Sequence, residues 1–213
     1  RNVGIEASTG KYVAFLDSDA LWNPEKLEKQ IAFMQENNFA FTYTAYEKIN
    51  EESTAFQVVR VPEKVSYHDL LKTNVIGCLT AMYDTEKLGN VYMPASTKRE
   101  DFATWLQILK KVDYAYGINE PLAQYRVYAG QSSSKKISMA KENWRLYREI
   151  EGLGLLRSSY YFMHYAFAGL LRTRLPKLAK FLGVLDGVNY CSRFASIQIK
   201  SFKLVSEFYQ VSI

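Results

Sequence analysis

Apolar and polar positions follow two rhythms along this chain, and the rhythms alternate. Residues 11–16 (KYVAFL) form a short apolar run after Gly10, the pattern of a buried strand, and the run stops at Asp17-Ser18-Asp19. Asn23-Pro24 then opens a helix, with Asn23 as N-cap, Pro24 at the first helical position and Glu25 in the first turn. Leu27, Ile31 and Met34 share one face of it, and Asn37-Asn38 ends it. Residues 39–46 alternate aromatic with small or polar side chains and read as a strand, and 55–61 read as a weaker one. Ser66-x-x-Asp69 predicts a capping box on a short helix through Lys72. Residues 76–83 read as a second strong strand and 84–98 as loop. Residues 100–112 predict an amphipathic helix, with Phe102, Trp105, Leu106, Leu109 and Val112 at helical spacing. Residues 114–118 and 122–128 read as strands on either side of Asn119-Glu120-Pro121. Beyond a polar stretch at 130–136, residues 137–150 are helical, and 158–172 are apolar and aromatic, broken only by His164. Past Pro176 the pattern defines no element. Strands alternating with helices predict an α/β layered domain followed by a helical tail.

Composition narrows this further. With 48% apolar and 15% aromatic residues, the 213-residue chain has ample material for a core and is not a disordered polymer. Only 11 Gly and 5 Pro exclude a collagen-like or low-complexity chain. The net charge of +5 is unevenly placed: residues 1–130 carry 14 basic and 17 acidic side chains, whereas 131–213 carry 13 and 5, so the tail alone is +8. A solvated basic helix face and a membrane-surface contact both fit such a tail. No recognised RNA- or DNA-binding module accompanies it, so nucleic acid is not expected as a partner. Cys78 and Cys191 are far apart and suggest a reducing compartment, not a disulfide framework. No run of 18 residues is free of charge, so no full membrane span is expected.

Three places carry candidate chemistry. Asp17 and Asp19 stand at i and i+2 just past a buried strand, where α/β sheets bind ligands. Two carboxylates there repel each other unless a cation compensates them, and hard divalent ions such as Mg²⁺ or Mn²⁺ bridge carboxylates to a substrate diphosphate. An Asp cap beside a turn Asp is the simpler alternative. Glu100-Asp101 opens the Trp105 helix, where acids are favoured by the macrodipole. Capping explains that pair, and so does a general base for an incoming hydroxyl. Finally, Arg126 can bind phosphate oxygens bidentately, and Lys135 and Lys136 follow it on a loop rich in serine, although an ordinary strand with a solvated loop reads the same way. His68 and His164 are isolated and are expected to be structural or surface residues.

The order of these pieces resembles a known family. Arg1-Asn2-x-Gly4-Ile5-x-x-Ser8-x-Gly10-Lys11-Tyr12-x-x-Phe15-Leu16-Asp17-Ser18-Asp19, followed by Trp22-x-Pro24-x-Lys26-Leu27, resembles the family 2 glycosyltransferases, which have the GT-A fold. Arg99-Glu100-Asp101-x-x-x-Trp105 resembles the family's acceptor-side motif, and Tyr125-Arg126-Val127 with Ser132–Ser134 resembles the segment after its last catalytic strands. The resemblance implies a partial GT-A (Rossmann-like) layer over residues 1–136 and a basic, aromatic helical tail over 137–213. It implies that Asp17 and Asp19 bind the metal and the donor, with Arg1, Asn2, Ser18 and Arg126 beside them. Asp101 is then the catalytic base, with Glu100 next to it, and Trp105 and Gly77 lie on the acceptor side.

The implied activity is inverting transfer of a sugar from a nucleotide-diphospho-sugar to a hydroxyl of a glycan or lipid-linked acceptor, in bacterial surface-polysaccharide synthesis. Mg²⁺ or Mn²⁺ is the implied cofactor. The implied location is cytoplasmic and peripheral on the inner face of the membrane, with contact through residues 157–180. A non-catalytic sugar-nucleotide-binding domain or a membrane-surface scaffold is the alternative. Two positions depart from the family pattern. Ala20 stands where a further acidic residue is frequent, and Tyr128 where many members have a His that assists the metal site. The family's first strand, helix and base pocket normally precede the position of Arg1, so the chain is expected to be a fragment.

Overall fold

In the computed structural model, residues 1–128 and 136–174 are described. The serine loop at 132–134, Lys135 and the segment 175–213 lie outside the described residues. The chain runs α1 (Asn2–Ala7), β1 (Tyr12–Ala14), β2 (Leu21–Trp22), α2 (Lys26–Glu36), β3 (Phe41–Ile49), β4 (Ala55–Val59), β5 (Lys64–Val65), α3 (Tyr67–Lys72), β6 (Met82–Asp84), α4 (Thr85–Leu88), α5 (Glu100–Leu109), β7 (Ala115–Arg126), α6 (Lys136–Arg145), a π-helical turn at Leu146–Ile150, and α7 (Leu155–Arg174).

The sheet has seven strands in the order β1-β6-β3-β7-β2, with β4 added on β3 and β5 on β7. Its centre is the parallel β3–β7 pair, and every other pairing is antiparallel. The core lies between this sheet and α5. Trp105, Phe102 and Ile108 are fully buried there against Phe41, Tyr43 and Tyr83. The α/β layer and the helical C-terminal part both match expectation.

Several elements differ from the sequence reading, each for a local reason. The two strands expected around Asn119-Glu120-Pro121 are one strand. The register jumps from Thr44↔Ile118 to Ala45↔Pro121, so a bulge absorbs Asn119 and Glu120 and seats the proline where no ladder N–H is required. The strand expected at 76–83 survives only as β6. Before it, Gly77 O accepts from Thr80 N at 2.9 Å and from Thr80 Oγ1 at 2.8 Å, which closes a 3₁₀ turn at Cys78–Thr80. The segment expected as loop holds α4, capped by Asp84 and stopped by Gly89 at φ 70°. Asn23 does not cap α2: its Nδ2 donates to Pro121 O at 2.8 Å, which ties the start of that helix to β7. The expected capping box is present, with Ser66 and Asp69 each accepting from the other's backbone N–H.

Gly117 is required by close approach. A Cβ there would stand 2.2 Å from Pro62 O, beside the 2.8 Å bond from Gly117 N to Glu63 O. The helical part shares the same core. Leu146, Tyr147 and Tyr161 belong to the main apolar cluster, and Tyr147 OH donates to Leu71 O at 2.6 Å. Glu151, accepting from Tyr67 OH and paired with Lys110 at 2.8 Å, ties this part to α3 and α5. His68 Nδ1 meets Tyr161 OH at 2.8 Å, and His164 is buried, so both histidines serve packing. Among the described residues no helix is long and apolar enough to cross a membrane.

Candidate active site

Two acidic pairs far apart in the sequence meet at one end of the sheet. The chain leaves β1 through buried Phe15 and exposed Leu16, then turns at Asp17-Ser18-Asp19, closed by Ala20 N donating to Asp17 O at 3.0 Å. On the other side α5 begins with Glu100 and Asp101 in its first turn. Arg1 spans the two: Nη2 donates to Asp17 Oδ1 at 2.5 Å, and Nη1 lies 3.8 Å from Glu100 Oε2. Arg1 is held in this place by its neighbour. Asn2 Nδ2 donates to Met93 O at 2.8 Å and Met93 N donates to Asn2 Oδ1 at 2.8 Å. Both ends of the Asn2 amide are therefore engaged with the loop before α5.

Asp101 is partly buried, and Phe102 N donates to its Oδ1 at 2.7 Å. Burial raises its carboxyl above the ordinary range, and the charge of Asp17 pushes the same way; Arg99, the Phe102 N–H and Arg1 oppose the rise without cancelling it. Cys78 lies within electrostatic reach of Arg1, Asp17, Asp101 and Glu100. Burial pushes its thiol up to about 12, with Arg1 opposing. Gly77 is the residue that opens the 3₁₀ turn at Cys78–Thr80.

Two expected site residues have other roles in this structure. Trp105 is not an acceptor-side surface. It is fully buried, 5.6 Å from the Phe15 ring and 5.3 Å from the Phe41 ring, because its position on α5 faces the sheet. Arg126 braces the Asp17–Asp19 turn and the β3–β4 hairpin. Its Nε donates to Asp19 O at 3.3 Å, its Nη1 to the carbonyls of Asn50 and Glu51 at 2.9 and 2.8 Å, and its Nη2 to Ser53 Oγ at 3.0 Å. Ser18 is exposed at the tip of the turn. Sequence reasoning missed the Arg1–Glu100 link and the place of Cys78. Neither has a local signal, because each depends on segments joined only by the fold.

Among the described residues no cluster of three or more His, Cys, Asp or Glu could hold a metal. Asp17 and Asp19 together offer carboxylate oxygens, which suits a hard cation completing its shell with substrate phosphates and water.

The family profile described as glycosyl transferase family 2 matches residues 1–91. The chain is 46% identical over 167 residues to a Bacillus subtilis protein named as a teichuronic acid biosynthesis glycosyltransferase, TuaG; the match covers 78% of this chain and 66% of that one. It is 36% identical over 171 residues to the Escherichia coli protein named UDP-Glc:alpha-D-GlcNAc-diphosphoundecaprenol beta-1,3-glucosyltransferase WfgD, covering 80% and 66%. The crystal structure of S. aureus TarS in complex with UDP-GlcNAc shares the fold at TM-score 0.55 and 17% identity, over 86% of this chain and 58% of that one. The chain belongs to glycosyl transferase family 2. It spans about two thirds of the length of the two named relatives.

Proposed function

We propose that the protein transfers a sugar, with inversion, from a nucleotide-diphospho-sugar to a hydroxyl of a glycan or lipid-linked acceptor in cell-surface polysaccharide synthesis. The observation that carries this reading is the convergence of the Asp17–Asp19 turn and the Glu100–Asp101 helix start on Arg1. Asp17 and Asp19 hold Mg²⁺ or Mn²⁺, which when bound supplies positive charge to the departing diphosphate. Arg1 adds a cation beside them, and Arg126 fixes the backbone of Asp19. Asp101 accepts the acceptor hydroxyl's proton at a carboxylate oxygen. The acceptor oxygen forms the new bond to sugar C1 as the bond from C1 to the phosphate oxygen breaks. A buried carboxyl with a raised pKa is a stronger base than an exposed one, which suits this step.

The relatives' names and the TarS ligand make UDP-Glc and UDP-GlcNAc the first donors to test. The full-length protein, given labelled donor, Mg²⁺ or Mn²⁺ and a lipid-linked sugar, is expected to place label on the acceptor. The reading is refuted if no labelled product forms and no nucleoside diphosphate is released from any nucleotide-sugar.

The reading extends to the inner face of the cell membrane. Leu156, Tyr160, Met163 and Phe167 are exposed at four-three-four spacing on α7, beside Arg157, in a tail of net +8. Such a stripe suits the interface of an anionic bilayer. Vesicles containing anionic lipid are expected to co-sediment the wild-type protein and to lose at least about tenfold in affinity for Leu156→Glu/Met163→Glu. Equal binding of the two would remove this helix from the membrane contact.

A further inference from the structure

The buried face of α2 is polar where its sequence pattern predicts Leu27, Ile31 and Met34. Leu27 is exposed, and the residues turned inward are Lys26, Gln30 and Met34. Lys26 and Gln30 are fully buried. Lys26 Nζ donates to Gln30 Oε1 at 2.7 Å and sits 4.4 Å from the centre of the Trp22 ring. Among the described residues no carboxylate pairs with it, and burial pushes its pKa down to about 8. Gln30 Nε2 donates to Thr42 Oγ1 at 3.1 Å and to Thr80 O at 3.0 Å. Trp22 Nε1 donates to Leu79 O at 2.8 Å.

These bonds and the Lys26–Trp22 ring contact make a continuous spine, fully buried at Lys26 and Gln30 and partly buried at Trp22. It starts at Trp22, just past the Asp17–Asp19 turn, and ends on the 3₁₀ turn at Cys78–Thr80, whose Cys78 belongs to the same buried cluster as Phe15, two residues before Asp17, and Phe102, next to Asp101. A buried ammonium without a counter-ion destabilises a fold, and apolar side chains of similar length would fill the same space at less cost. Residues that lower stability while joining two halves of a site fit a functional constraint.

We propose that Lys26 and Gln30 are positioning residues that fix the turn at 77–80 relative to the Asp17–Asp19 turn, so that acceptor and donor meet in register. This rests on the transferase reading above. In a transferase, misplacing the acceptor by about 1 Å lowers the rate by roughly 10²-fold, while donor binding on its own side is unaffected.

The test uses the full-length protein with Lys26→Met/Gln30→Met, which removes both members of the Lys26–Gln30 bond together with the donor to Thr42 Oγ1 and Thr80 O, so its fold is checked by melting before activity is read. A second variant, Gln30→Glu, keeps a partner for Lys26 and removes the N–H donors to Thr80 and Thr42. Three quantities are read: donor KM, sugar transfer, and donor hydrolysis without acceptor. In both variants donor KM and hydrolysis are expected to stay within about threefold of wild type, while transfer falls about tenfold or more. A wild-type ratio of transfer to hydrolysis in either folded variant overturns the proposal. A wild-type protein without transfer, indistinguishable from Asp101→Asn, overturns the underlying reading instead.

Discussion

Full-length protein carrying Asp101→Asn is expected to bind its donor as the wild type does and to transfer sugar about 10²–10⁴-fold more slowly. The substitution preserves shape, and the Asn oxygen still accepts from Phe102 N, so the start of α5 keeps its geometry. What is lost is the ability to take a proton. Burial holds the native Asp101 pKa above its unfolded value. The native protein therefore binds more protons than the unfolded chain across the window between the two values, and stability falls as pH rises through it. At neutral pH the ionised Asp101 lowers stability, so the Asn variant is expected to melt no lower than wild type. Activity has the opposite dependence, rising with pH through the raised Asp101 pKa as the carboxylate forms. Melting curves and a pH profile of kcat check both statements, and a lower melting temperature for the variant would point to a structural loss.

The second large effect falls on the donor side. Asp17→Ala and Asp19→Ala, or removal of divalent ions with a chelator, are each expected to weaken donor binding on the order of 10²-fold, equivalent to about 3 kcal/mol of lost charge stabilisation. Asp17→Ala also leaves Arg1 without its 2.5 Å partner, with Glu100 on α5 as its remaining acidic neighbour at 3.8 Å. Asp19→Ala leaves the Arg126 brace intact, because Nε holds the backbone carbonyl of residue 19. Donor titrations with and without Mn²⁺ measure both variants. A chelator-treated protein with unchanged donor affinity would overturn the role given to the two carboxylates.

What was legible in the sequence was the local chemistry. The Ser66–Asp69 capping box and the start of α5 at Glu100 are each written within a few consecutive residues, and each formed where expected. What failed was non-local. The strand around Pro121 continues only because β3 accepts a bulge opposite it. The inward face of α2 is set by Thr42 and Thr80, which reward a buried glutamine over a leucine. Trp105 sits at the right spacing for an acceptor motif, yet the same spacing turns it into the core, and periodicity alone does not separate the two roles. Arg126 was legible as an arginine beside the site, but the carbonyls of Asn50 and Glu51 that engage it belong to a hairpin with no sequence mark of that role.

In the proposed reaction the Asp17–Asp19 carboxylates hold the donor and Asp101 acts as the base. The most direct test measures donor KM and transfer kcat together for wild type, Asp17→Ala and Asp101→Asn. The expected result is a separation: Asp17→Ala raises donor KM, whereas Asp101→Asn leaves it unchanged and lowers kcat. Equal activity in all three proteins, or the same loss of both parameters in the two variants, would contradict it.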